Sequence, residues 1–135
     1  MIGASARMVR YLWALPVTLF GLVWAAIAGL TGGRIAWVGG VLEVSGGWLQ
    51  WLLPRLVPGI RVAAIALGHV VLATDQVTLD LTRLHERVHV AQCERWGPLF
   101  PLLYGAASLR AWGRGLHYYH DNGFEIEARL RGDGR

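Results

Sequence analysis

The longest apolar stretch comes first, since Tyr11 to Leu30 runs twenty residues without a charge. As a helix that is about 30 Å, the thickness of a bilayer's hydrocarbon core, so the pattern predicts a membrane-spanning anchor. Pro16 lies inside the run, and Tyr11, Trp13 and Trp24 stand where aromatic rings hold a helix at headgroup depth. Behind it, Ile35 to Ser45 is rich in β-branched residues and bracketed by Gly32-Gly33 and Gly46-Gly47, which predicts one or two short strands. Trp48 to Ile60, with Trp51, Pro54 and Pro58, is too short to cross a bilayer and reads as an interfacial segment with Arg55 reaching water. Val62 to Thr74 is the strongest strand pattern, and a polar turn at Asp75-Gln76 follows it.

The period then changes. From Leu81 to Trp96 apolar Leu81, Leu84, Val88 and Ala91 recur at three and four, Asp80 or Thr78 can cap the start, and Gly97-Pro98 ends the run. Gly97 to Trp112 is apolar again. Phe124, Ile126, Ala128 and Leu130 alternate with charges in a manner that suits a short helix.

A length of 135 residues fits one domain, and the mixture of strand and helix patterns makes it α+β. With 54% hydrophobic and 16% charged residues and a mean hydropathy of +0.39, the chain is built for lipid contact. All 13 basic residues are arginines, scattered singly from Arg7 to Arg135. Nothing in that spacing describes a nucleic-acid surface, and headgroups of the membrane lipid bilayer are the simpler partner for a net charge of +4. Arg7 and Arg10 precede the apolar run while Arg34 alone follows closely, which predicts an N-terminus inside the cytoplasmic membrane and the remainder outside. Ala26-Ile27-Ala28 is similar to a signal-peptidase site, so residues 1–28 could instead be a cleaved leader, but the apolar run exceeds the usual length of roughly 7 to 15 residues. Single Cys93 leaves no intrachain disulfide. The expected organisation is a basic flank at 1–10, an anchor at 11–30 and a membrane-associated domain at 31–135.

The chemistry sits on the central helix, where His85, Glu86 and His89 form H-E-x-x-H. Residues four apart on a helix lie one above the other, so both imidazoles can reach one metal ion. Catalytic zinc takes three protein ligands and keeps one position for water, with a neighbouring Glu, here Glu86, as general base. Candidates for the third ligand are His117, His120, Asp121, Glu125 and Glu127, of which Glu125 and Glu127 point to different sides of a helix. Cys93, four after His89, is within reach but reads better as a small buried residue. If Gly97 to Trp112 crossed the membrane, every one of the tail candidates would lie on the far side from the histidines, so this stretch is expected to dip or pack. His69 can contact the site or its substrate, or be a buried hydrogen-bonded residue. Tyr118, Tyr119, His117 or His120 can supply an oxyanion donor, and Glu43 reads as a satisfied strand carboxylate.

H-E-R-V-H-V-A-Q, followed some 35 residues later by F-E-I-E-A, resembles the gluzincin metallopeptidases, especially small membrane-embedded ones related to HtpX-type and CAAX prenyl proteases. It is also similar to short bacterial membrane proteins with a G-H-V strand, an E-R-W-G-P-L-F stretch and an N-x-F-E-x-E-A tail. The resemblance covers roughly Ala66 to Arg129 and implies a minimal zincin-like fold, a Zn2+ cofactor and a peptide or protein substrate. It implies Glu125 as third ligand, Gln92 and Glu127 as supports of the ligands, and an edge strand upstream of the metal helix for the substrate backbone. Arg129 stands where those peptidases carry an acidic residue. The alternative is a catalytically inactive membrane protein stapled by its metal, with a structural or regulatory role. A peptidase cleft needs more walls than this chain supplies, which a protein partner, a second copy or the bilayer would provide.

Overall fold

The computed structural model describes residues 3–133, so Met1 and Ile2 of the expected basic flank, and the last two residues, lie outside it. Helix α1 (Ala4–Leu30) leads into strands β1 (Arg34–Val38) and β2 (Val41–Ser45), a short helix α2 (Leu49–Leu52) with a 3-10 turn, and strands β3 (Ala64–Leu67) and β4 (Val70–Ala73). Helix α3 (Gln76–Trp96), a 3-10 turn, α4 (Phe100–Gly113), α5 (Gly123–Ala128) and one π turn (Arg129–Asp133) complete the chain. The four strands lie in the order β1-β2-β4-β3, with β2 and β4 parallel and the two outer pairs antiparallel.

Alternation decides the layers. On one face of the sheet Val44, Val70 and Leu72 pack with Ala25 and Ala28 of α1 and with Leu49 and Leu53. On the other, Val41, Val71 and Ala73 pack with Leu79 and Val90 of α3. Residues 11–30 and 31–135, divided by the sequence pattern, therefore share one core. By length and composition α1 could cross a membrane, and the same properties suit a signal sequence or a core helix.

Three local expectations are corrected. Val62–Thr74 is not one strand but a hairpin, because Gly68 takes a positive φ of 64° and turns the chain between β3 and β4. A side chain there would collide with Thr18 of α1, so only glycine suits both the turn and the helix contact. The metal helix starts at Gln76 and not near Leu81, since Asp75 accepts from the Thr78 backbone N–H at 2.7 Å and caps it a turn earlier. Trp48 to Ile60 does more than lie at an interface: Leu49 and Leu53 are fully buried, and the Trp48 indole donates to Trp24 O at 3.1 Å. Trp51 alone of that segment's tryptophans is exposed, under the Arg55 guanidinium.

Glu43 on β2 ties the sheet to α3. Its buried carboxylate accepts two bonds from Arg83 at 2.8 Å and one from Arg87 at 2.9 Å, and these arginines hold its pKa below the usual carboxylate value despite burial.

Candidate metal centre

Helix α3 places His85 and His89 one turn apart, ring centroids 5.1 Å from each other, on the side facing α5. Helix α5 brings Glu125 to them. His85 Nε2 lies 3.2 Å from Glu125 Oε1, and His89 Nε2 lies 3.2 Å from Glu125 Oε2. The three residues form a group that could hold a metal ion, with ligand atoms all within 4.8 Å of one another. Around a four-coordinate zinc with bonds of about 2.0–2.1 Å, neighbouring ligand atoms stand roughly 3.3 Å apart, the spacing of each histidine from its own Glu125 oxygen.

The protonation pattern fits as well. Gln92 Nε2 donates to Phe124 O at 3.0 Å and to Glu127 Oε1 at 2.7 Å. Neither acceptor can donate, so the Gln92 amide is fixed with Oε1 toward His89 Nδ1, 2.8 Å away. Nδ1 then carries a proton in either charge state, so it is Nε2, on the Glu125 side, that offers a lone pair once the ring is neutral, the tautomer a metal ligand needs. Glu127 serves this chain of bonds rather than the group itself, as Arg131 also holds it.

Electrostatics favour a cation at the same point. Burial disfavours a charged His89, yet its hydrogen bond to Glu125 and the charges of Glu86 and Glu125 outweigh it and raise the pKa to about 9. Burial would likewise raise Glu125, but its bonds to His85 and His89 and the His89 charge take it well below the carboxylate range. Metal-free, the site holds a proton where a divalent ion would sit.

The tail positions Glu125 through residues that the sequence reading passed over. Asn122, fully buried, accepts from the Phe124 N–H to start α5 and donates to Tyr104 O and Ser108 Oγ of α4. Tyr104 then donates from its hydroxyl to Glu125 Oε2 at 2.6 Å. Burial and the nearby Glu125 charge raise the Tyr104 and Tyr119 phenols above their ordinary value, so both stay protonated donors. Gly132 closes the other side, where a Cβ would stand 2.6 Å from His85 Cα. Nothing in the apolar run singled out Tyr104, which shares it with a second hydroxyl at Ser108.

Beside the group lies a mainly apolar cavity of about 360 Å3, walled by Val17, Ile65, Phe100 and Pro101 and lined also by Glu86, His89, Tyr104, Tyr119 and Glu125. Glu86 is buried there. Strand β3, whose outer edge has no strand neighbour among the described residues, forms another wall.

The other candidates stand apart. His69 is in the hairpin turn, buried, with Nε2 2.7 Å from Glu94 and its ring against Tyr11, lining a separate cavity. His117 and Asp121 organise the loop before α5: His117 Nδ1 accepts from the Tyr119 and His120 backbone, and Asp121 accepts from the His117 N–H. His120 is exposed, and its carbonyl accepts from Arg129. Tyr118 lines the cavity while donating to Pro58 O. Cys93 packs with Ala14, Val17 and Phe100, and burial pushes its thiol up to about 11, which suits a core residue and not a ligand. No family model, curated protein or solved structure matches this chain.

Proposed function

We propose that the protein is a membrane-associated zinc metallopeptidase of gluzincin type, in a minimal zincin-like fold. The observation that carries this reading is the convergence of His85, His89 and Glu125, with the tautomer of His89 set for metal, beside a buried Glu86 and an apolar cavity. A zinc ion, which His85, His89 and Glu125 would hold, would supply Lewis acidity toward a water and a peptide carbonyl. Glu86, next to His85 and lining the cavity with His89, takes the proton from that water and returns it to the leaving amine. Tyr119 lines the same cavity with a phenol that stays protonated, so it is the donor for the developing oxyanion. An extended substrate adds to the outer edge of β3 through main-chain hydrogen bonds, with its side chains in the apolar cavity. Gln92 and Glu127 orient His89, the task that an acidic residue at Arg129 would serve in the enzymes this chain resembles.

The test is metal content and cleavage of an unfolded protein by the full chain in detergent. One zinc per chain with activity is expected; Glu86→Gln keeps the zinc and loses at least about a hundredfold in rate. Wild-type protein that takes up no divalent metal overturns the metal reading. A metal-loaded protein on which Glu86→Gln has no effect overturns the peptidase reading and leaves the structural staple.

A further inference from the structure

α1 is docked along the domain for nearly its whole length. Its buried positions Ala14, Val17, Gly21, Ala25 and Ala28 form one stripe against the rest of the fold. Polar contacts run beside them from end to end. Tyr11 donates to Gly40 O, the Trp13 indole donates to Arg95 O, Thr18 Oγ1 accepts from the His69 N–H, and Thr31 Oγ1 accepts from the Trp48 N–H. From Tyr11 to Thr31 a helix rises about 30 Å, so the sheet lies level with the entire apolar run.

A crossing would take that sheet into the hydrocarbon. All five residues of β1 are exposed and its outer edge has no neighbour among the described residues, an arrangement lipid does not tolerate because each bare backbone group lacks water. The opposite side of α1 is nonetheless apolar and exposed, at Leu12, Leu15, Leu19, Val23 and Ile27.

We infer that α1 lies in the plane of one leaflet of an anionic phospholipid bilayer, its outward face among the upper acyl chains and the sheet in water. The charge pattern selects this occupant: Arg7 and Arg10 stand before one end of the apolar run and Arg34 beyond the other, Arg10 also lying 3.7 Å from Glu94, and no acidic residue precedes Glu43. A second copy packed there antiparallel would set arginines against arginines. This inference rests on the membrane association in the proposed function and is independent of the metal.

Exposed sites Ser5 and Ala36 lie on either side of the apolar run, and the native Cys93 is buried. In sealed membrane vesicles, Ser5→Cys and Ala36→Cys of the full chain are labelled with an impermeant maleimide before and after permeabilisation, and purified protein is floated with phosphatidylglycerol-containing or pure phosphatidylcholine vesicles. Both cysteines report the same side, and anionic vesicles bind at least about tenfold tighter. Labelling from opposite sides overturns the in-plane arrangement and leaves membrane association intact. Failure to float with either vesicle overturns both, and equal flotation with the two overturns the anionic partner.

Discussion

Gln92→Met keeps the length of the side chain and removes its hydrogen bonds, so it asks whether the amide sets the metal site or only joins two helices. Three bonds are lost: from His89 Nδ1–H at 2.8 Å, to Phe124 O at 3.0 Å and to Glu127 at 2.7 Å. At about 1 kcal/mol each, with Phe124 O left short of a donor, stability falls by about 2–3 kcal/mol. The first bond has a separate consequence. Without an acceptor at Nδ1 the imidazole can turn and change tautomer, and loss of such a partner weakens metal binding by about 10- to 100-fold, or about 1.4–2.7 kcal/mol. Competition with a chromophoric zinc chelator, on protein first shown to be folded, reads this directly. Gln92→Glu is the companion, because it retains an acceptor for His89 but sets a carboxylate against Glu127. That variant loses stability and keeps zinc affinity at or above the native level. Folded Gln92→Met protein binding zinc within threefold of wild type would show that the amide has no hold on His89.

The metal-free protein has its own pH profile. His89, raised from 6.5 to about 9, contributes stability that is complete below pH 6.5 and fades as pH rises to about 9; Glu125, lowered from 4.5, contributes above pH 4.5 and loses its contribution as pH falls further. Thermal unfolding with chelator present is expected to peak between about pH 4.5 and 6.5, and a Tm that climbs steadily from pH 7 to 9 contradicts the assigned charges. Glu43→Ala leaves Arg83 and Arg87 without their shared carboxylate; both retain some solvent contact, so the cost is about 3 kcal/mol, the low end for a broken buried pair. Denaturant unfolding measures it, and a change below about 1 kcal/mol rejects the pairing. Gly21→Ala puts a methyl 2.9 Å from Leu67 Cβ and 3.0 Å from Val70 Cβ, for a loss of about 1–3 kcal/mol; an unchanged Tm means that α1 is not docked on the hairpin.

What could be read along the chain depended on range. His85 and His89 are one turn apart, so helix periodicity alone put them on one face, whereas the cap that Asn122 supplies to the Glu125 helix went unread. Strand boundaries in 62–74 were less legible because β3 and β4 are both apolar, and the turn between them consists of Gly68 and a buried His69. A lone glycine in an apolar run signals a bulge as readily as a hairpin. Tyr104 lay beyond sequence reasoning altogether. Its role comes from Asn122 joining α4 to α5, a contact across eighteen residues with no periodic trace.

Twenty uncharged residues meet the length rule for a bilayer whether one side of the helix faces lipid or a sheet. The discriminating detail was the size of the residues on one stripe. Ala14, Gly21, Ala25 and Ala28 fall on a single face, and at Gly21 the backbone approaches Leu67 too closely for any side chain. Larger residues, Leu12, Leu15, Leu19, Val23 and Ile27, occupy the opposite face. A helix surrounded by acyl chains alone has no reason to sort its residues by volume, since lipid adapts to either. A helix seated on the side chains of a sheet does, because close packing rewards near approach on one side only. The same division lets a chain with a mean hydropathy of +0.39 build a sheet whose buried Glu43 carboxylate is held by Arg83 and Arg87. Much of its excess apolar surface is gathered on the outward side of one helix, with arginines before and after the apolar run, and the interior beneath packs around the sheet.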